Sequence, residues 1–231
     1  MKIKQGMILA AGLGKRMQPI TLKTPKPLIQ IGNKNLLERA IELLINHGIE
    51  EIAINVHHLS DQIKDFINKK KYEIKIIISD EQNSLLDTGG GIFKATRSFK
   101  EPFVVINPDT LWNNNHSNDL KNLEKIYFNQ KKTSLLLVNK NLSYDDSFKG
   151  DFNLNGNIIS RDESNKFIFT GLQILDRSIF NFIKEKKFSM NEIWDNLIQD
   201  RSLIGVESKQ KFYHLNTKEM YEKILKLNII D

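Results

Sequence analysis

The sequence predicts an α/β fold, a largely parallel sheet covered by helices on both faces, and three observations carry that expectation. Short apolar runs alternate with longer amphipathic stretches, the order expected of strands joined by crossover helices. The first apolar run, "GMILAA", passes directly into a loop containing Gly12 and Gly14. No internal repeat, low-complexity tract or Pro/Gly-rich linker interrupts the 231 residues, so residues 1–231 are expected to form a single domain.

The elements follow in order. "GMILAA" reads as a strand, and "LLERAIELLINHG" as a helix whose Leu37, Ile41, Leu44 and Ile45 share one face and whose Gly48 ends it. "EEIAINV" returns as a strand, "LSDQIKDFINK" as a helix and "YEIKIIIS" as a strand. After the glycines at 89 to 91 a short helix is expected through Phe93 and Ala95, then "FVVINPD" as a buried strand ending in an acid. Farther on, "TSLLLVNK", "GDFNLN", "GNIISR" and "FIFTGLQILD" read as strands, with "NG" at 155 and 156 turning a hairpin. "RSIFNFIKEK" and "NEIWDNLIQ" look helical, "QKFYHLN" reads as a last strand and "TKEMYEKILKL" as a terminal helix.

Composition narrows the function. At 40% hydrophobic, the chain can bury a substantial core. The absence of cysteine excludes disulfides, thiolate catalysis and Cys-based zinc sites, and is compatible with a reducing, cytoplasmic setting. "MKIKQGMILAAGLG" superficially resembles a secretory signal, but glycines interrupt its apolar part, which is needed as the first strand. No segment approaches the ~18 uninterrupted apolar residues of a membrane helix, so no membrane partner is expected. A net charge of +6 raises nucleic acid as a partner. The lysines, however, lie in short runs in separate segments, among them Lys69 to Lys71, Lys131 to Lys132 and Lys186 to Lys187, so none is expected. Monomer and homodimer both remain open.

The motif with chemistry in it is the opening loop, Gly12-Leu13-Gly14-Lys15-Arg16-Met17. It lacks the third glycine of G-x-G-x-x-G and the spacing of G-x-x-x-x-G-K-[ST], so neither of those phosphate loops applies. A strand entering a glycine turn still exposes backbone N–H groups to an anion, and adjacent Lys and Arg supply charge. Gly12 and Gly14 also read as an ordinary tight turn, and Lys15 and Arg16 as a solvated pair. "TPKPL" shifts the balance, because prolines on either side of Lys26 present that lysine from a stiff, extended segment. Three cations beside an N–H-lined turn suit a polyphosphate.

At this point "LAAGLGKRMQPITLKTPKPL" resembles the signature L-A-A-G-x-G-x-R-M-x-P-L-T-x-x-x-P-K-P-L of sugar-1-phosphate nucleotidyltransferases. Through "TGGGIFKA" and "FTGLQIL" the chain is most similar to the short bacterial N-acetylmuramate-1-phosphate uridylyltransferases and related mannose-1-phosphate guanylyltransferases. The similarity in segment order covers nearly the whole chain, with dense motifs only up to Asp109. It implies a three-layer, Rossmann-like sheet of the nucleotide-diphospho-sugar transferase type. It also implies an activity in which a sugar 1-phosphate attacks the α-phosphorus of an NTP and releases pyrophosphate, with Mg²⁺ as cofactor.

Carried over residue by residue, the resemblance puts Leu9, Ala10, Ala11, Gly12 and Gly14 around the nucleotide, with Lys15 a candidate where the family varies. Arg16 would stabilise the leaving pyrophosphate, and Lys26 would sit between the α-phosphate and the attacking phosphate. Gln82 and Gly89 fall where the family reads the base and ribose. Gln82 also reads as an exposed loop residue, and the glycines at 89 to 91 as a helix-entry loop. Asp109 is implied as metal ligand, although Asn107-Pro108-Asp109 departs from the usual N-G-D and Pro108 fixes the turn that aims the carboxylate. Asn107, Gly150, Asp162 and Gly171 are implied in the sugar pocket; a turn, a solvated acid and a bulge are the plain alternatives for the last three. Relatives carry D-x-G-T near the C-terminus, where the aspartate is the second metal ligand. Here His214-Leu215-Asn216-Thr217 stands instead, and imidazole suits Mg²⁺ poorly. That departure and Pro108 keep open a catalytically impaired nucleotide-sugar binding protein, and a phosphocholine cytidylyltransferase is a more distant alternative.

Overall fold

A computed structural model of the protein describes residues 1–81, 84–183 and 187–227. Strand β1 (Gln5–Leu9) leads through 3-10 turns at Lys15–Met17, Ile20–Leu22 and Lys26–Leu28 into the small hairpin β2 (Gln30–Ile31) and β3 (Lys34–Asn35). Then come α1 (Leu36–His47), β4 (Glu51–Val56), α2 (Ser60–Lys70), β5 (Lys75–Asp80), α3 (Asp87–Ala95) and β6 (Phe103–Ile106). The second half contains α4 (His116–Gln130), β7 (Thr133–Asn139), β8 (Asn153–Asn155), β9 (Ile158–Ser160), β10 (Phe167–Leu175), α5 (Met190–Gln199), β11 (Leu203–Ser208) and α6 (Lys218–Leu225).

One sheet runs β5-β4-β1-β6-β10-β7-β11-β9-β8. The pairings of β1 with β4 and β6, of β4 with β5 and of β7 with β11 are parallel. Strands β10 and β9 run against the rest. The sheet is therefore mostly parallel, and the ends of β1, β4 and β6 open onto one edge, where α/β sheets bind ligands. An isolated bridge from Phe152 to Phe167 brings the outer end of the sheet back against β10.

Alternation along the strands explains the layers. Ile8, Ile54, Val104 and Ile106 join a core with Leu37, Ile41 and Leu44 of α1, Ile63 of α2 and Leu120 and Leu123 of α4. Their neighbours Met7, Ala53, Phe103 and Val105 join Ile92 of α3 and Ile193 and Trp194 of α5 on the other face. A smaller cluster of Met17, Ile29, Leu36, Leu111, Leu215, Met220 and Ile224 packs α6 beneath the opening loop. At the ends of α1, Asn35 Oδ1 accepts from Glu38 N at 2.8 Å and Gly48 turns the chain at φ 99°.

Several expectations are corrected. The glycines at 89 to 91 lie inside α3 rather than ahead of a helix. The strand "FVVINPD" stops at Ile106, leaving Asp109 in the turn beyond it. The hairpin pairs Asn155 with Ile158, so Gly156 and Asn157 make its turn, one residue later than read. "QKFYHLN" forms only isolated bridges, Phe212 with Ser143 and His214 with Thr110, and no strand. "RSIFNFIKEK" yields a 3-10 turn at Arg177–Phe180, and its Lys184, Glu185 and Lys186 lie outside the described residues. Helix α4 and strand β11 were not anticipated. In α4 only His116, Leu120, Leu123 and Tyr127 are buried, a thin stripe diluted by an asparagine-rich start. In β11 Gly205 breaks a short apolar run, and it is needed because a Cβ there would stand 2.8 Å from Leu154 Cδ1 and 2.9 Å from Leu137 Cδ1.

Candidate active site

β1 delivers Leu9 and Ala10 to the sheet edge, where the chain turns through Gly12 and Gly14 into the 3-10 turn of Lys15, Arg16 and Met17. Gly14 sits at φ 61°, and a Cβ on it would fall 2.8 Å from Thr21 Cγ2, so glycine is required twice over. A Cβ on Gly12, by contrast, would meet no atom within 4 Å: that position faces open space. Met17 is fully buried and pins the loop, which leaves Lys15 and Arg16 exposed at the mouth of a cleft.

Lys26 arrives from the stiff Thr24-Pro25-Lys26-Pro27 segment, with Pro25 extended at ψ 141°. Its Nζ donates to Asp109 Oδ2 at 2.7 Å, with side chains 14% and 25% exposed. His214 Nε2 lies 3.1 Å from the same oxygen. Burial alone would raise the Asp109 carboxyl, but the charge of Lys26 and the His214 imidazole outweigh it and hold the group well below the usual carboxylate range. Two backbone hydrogen bonds form the bridge to Thr110 that places His214 here, Leu111 N donating to Tyr213 O at 2.9 Å and Leu215 N to Asp109 O at 2.8 Å. Its ring stacks on Phe212 at 5.8 Å between centroids and leans on Phe148.

Beside this lies a second hollow, lined among others by Ala11, Gly12, Glu81, Thr88, Asn107 and Asp109. A buried relay joins its walls. Asn55 Oδ1 accepts from Ala10 N at 2.8 Å, Asn55 Nδ2 donates to Glu81 Oε1 at 2.7 Å, and Glu81 Oε2 accepts from Leu86 N at 3.1 Å. The relay accounts for Gly91, because a Cβ there would stand 2.7 Å from Asn55 Nδ2.

The structure thus brings together Leu9, Ala10, Gly12, Gly14, Lys15, Arg16, Lys26 and Asp109 around the cleft, with Ala11 and Asn107 in the hollow beside it. Gly171 belongs beside them, since it is the bulge in β10, at φ 93°, whose O accepts from Asn107 N at 2.8 Å. Gly89 is buried in α3 against Phe188. Gly150 and Asp162, which line neither hollow, meet at Asn165: Gly150 turns at φ 91° against the Asn165 carbonyl, and Asp162 N donates to Asn165 Oδ1 at 3.1 Å. Gln82 lies outside the described residues. Asn55, Glu81 and Asn216 were missed, although Asn55 is a polar residue in an otherwise apolar strand end and could have been flagged.

For a divalent cation, the described residues offer no convergence of three His, Asp or Glu side chains. They do offer Asp109, whose Oδ1 is buried without a partner, a hard oxygen donor that fits Mg²⁺. No described helix is long and apolar enough to cross a membrane.

The family model described as nucleotidyl transferase matches residues 5–143, which span the glycine loop, Lys26 and Asp109. The chain is 32% identical to the D-glycero-alpha-D-manno-heptose 1-phosphate guanylyltransferase of Campylobacter jejuni over 91% of this chain and 97% of that protein. It is 26% identical to the N-acetylmuramate alpha-1-phosphate uridylyltransferase of Caulobacter vibrioides, over 92% and 91%. Its fold is like that of the crystal structure of HddC from Yersinia pseudotuberculosis complexed with GMP-PN, with a TM-score of 0.77 and 23% identity over 97% of this chain and 99% of that one. With the matched segment supplying the cation-rimmed glycine turn and both members of the Lys26–Asp109 pair, this chain belongs to the nucleotidyl transferase family.

Proposed function

We propose that the protein transfers a nucleoside monophosphate from an NTP to a sugar 1-phosphate with release of pyrophosphate. The observation that carries this reading is the Lys26–Asp109 pair, 2.7 Å apart at the floor of a cleft rimmed by Gly12, Gly14, Lys15 and Arg16. The backbone of the glycine turn accepts the triphosphate in the open space above Gly12. Arg16 faces the departing pyrophosphate, and Lys26, held by its proline-braced backbone, bridges the α-phosphate and the incoming phosphate. Asp109 holds Mg²⁺, which when bound supplies positive charge to the phosphate oxygens. Asn107, braced by Gly171, stands on the acceptor side of the cleft. Gly89, Gln82, Gly150 and Asp162 remain assigned to the substrates by resemblance alone.

The uridylyl donor with N-acetylmuramate 1-phosphate is the leading pair, supported by the Caulobacter relative. A guanylyl donor is the second reading, favoured by the Campylobacter relative, with mannose 1-phosphate as its acceptor, as in the name of a Drosophila melanogaster relative. The test is pyrophosphate release from UTP or GTP with N-acetylmuramate 1-phosphate, mannose 1-phosphate and the manno-heptose 1-phosphate, in Mg²⁺ and then Mn²⁺. Release with one pair names both substrates. Nucleotide binding with no release from any pair would instead support the binding-protein alternative raised by His214.

A further inference from the structure

Asp109 Oδ1 has a companion. The side-chain oxygen of Asn216 is also buried without a hydrogen-bond partner, and Asn216 lines the same cleft as Asp109. A buried oxygen left unpaired keeps its desolvation penalty, so each calls for an explanation. The backbone sets them close. Leu215 N donates to Asp109 O at 2.8 Å, and Asn216 follows immediately in the chain.

The orientation of the amide is determined by its surroundings. Asn216 is only 9% exposed, and its Nδ2 donates to Asp145 Oδ2 at 2.9 Å. Flipping the amide would set its oxygen against that carboxylate, so Oδ1 must be the free end. His214 is differently employed. Its Nε2 lies on Asp109 Oδ2, and its ring is packed between Phe212 and Phe148. Among the described side chains lining this cleft, the buried oxygens without a partner are Asp109 Oδ1 and Asn216 Oδ1; Asn107 Oδ1, likewise unpartnered, lines the adjoining hollow, and His214 Nδ1 is a nitrogen that suits Mg²⁺ poorly. Mg²⁺ and Mn²⁺ accept such oxygens and take their remaining positions from phosphates and water.

We propose that Asn216, two residues beyond His214, is the second protein ligand of the divalent cation that accompanies the nucleotide. Asp145 is then a positioning residue that aims the amide, and His214 one that steadies Asp109. The inference rests on the nucleotidyl-transfer reading and names how this chain satisfies it with histidine at the position of the usual aspartate.

The test is Mn²⁺ binding to the full chain in the presence of pyrophosphate, read by the relaxation enhancement of water protons and independent of the base. Asn216→Ala and Asn216→Leu, which keeps the branched shape of the side chain, are expected to weaken Mn²⁺ binding ~10-fold or more, with thermal midpoints near wild type. The double variant Asn216→Asp/Asp145→Asn exchanges amide and carboxylate while preserving their hydrogen bond, and is expected to restore binding. Wild-type Mn²⁺ affinity in a folded Asn216→Leu protein would overturn the ligand assignment and leave the transfer reading standing. Failure of the wild-type chain itself to bind Mn²⁺ with pyrophosphate would overturn both.

Discussion

Replacing Asn55 by alanine tests whether the buried relay holds the two walls of the cleft together. Asn55 is 2% exposed, and its amide satisfies Ala10 N on one side and Glu81 Oε1 on the other. The substitution removes a hydrogen bond to a charged group, worth about 1.5–3 kcal/mol, and leaves a buried backbone N–H unpaired, about 1–3 kcal/mol more. Together these come to roughly 3–5 kcal/mol. For a chain of this length each kcal/mol moves the thermal midpoint by about 2–4 °C, so a fall of roughly 10 °C is expected by scanning fluorimetry and, in parallel, by urea titration. Glu81→Gln keeps the shape but faces one of its two donors, Asn55 Nδ2 or Leu86 N, with an NH₂ group, so it should lose roughly half as much. Because Ala10 lines the cleft and Leu85 the hollow beside it, KM for the nucleotide should rise more than kcat falls. A midpoint within 2 °C of wild type for Asn55→Ala would refute the relay as a structural tie.

Other outcomes follow from individual sites. Gly12→Ala meets no protein atom, so its thermal midpoint should match wild type while KM for NTP rises about tenfold or more; an unchanged KM would remove Gly12 from the phosphate site. Lys26→Ala and Asp109→Asn should each lower turnover by at least about 10²-fold in steady-state pyrophosphate release, the scale of losing a preorganised charge, with circular dichroism unchanged. His47 is buried, and burial depresses its imidazole pKa, with Lys2 and Lys121 acting the same way and Glu124 opposing. A depressed histidine favours the folded state at high pH, so stability should fall as the pH drops below about 6.5, by at most about 1.4 kcal/mol per unit, and His47→Leu should flatten that slope in urea titrations at pH 7.5 and 5.5. Ser189 and Glu192 form a capping box on α5, and Ser189→Ala should cost about 1 kcal/mol by urea denaturation.

The first half of the chain was legible because its signals are local. The short continuous apolar runs of β1, β4 and β5 and the broad apolar stripe of α1 each exceed what a loop would show, and Gly48 marks a helix end unaided. Lys26 and Asp109 were found through motif and chain position. What escaped depends on contacts between distant segments. Asn55 and Glu81 become a pair only when β4 and the segment after β5 run side by side, 26 residues apart in sequence. The glycines of α3 look like a flexible loop until Phe188 and Asn55 are seen filling the space that side chains would need. The segment around His214 carries a strand-like pattern, yet its hydrogen bonds go to loop residues 109 to 111 and 142 to 144, so it lines the site rather than extending the sheet.

The contact between Lys26 and Asp109 also dictates how substrates must arrive. A cation approaching alone finds its carboxylate held by an ammonium, and a phosphate approaching alone finds its ammonium held by a carboxylate. The phosphate must break an ion pair in a partly dry setting before making one, and a cation on the open Oδ1 would leave the ammonium facing its positive charge. A metal and a phosphate arriving together exchange partners with that pair, so that every charge released is recaptured. The two ligands are thereby linked in free energy, each strengthening the other's binding by the same factor. On the transfer reading, the pair is neutral within itself, and the site would favour a metal–nucleotide complex over the nucleotide or the metal alone.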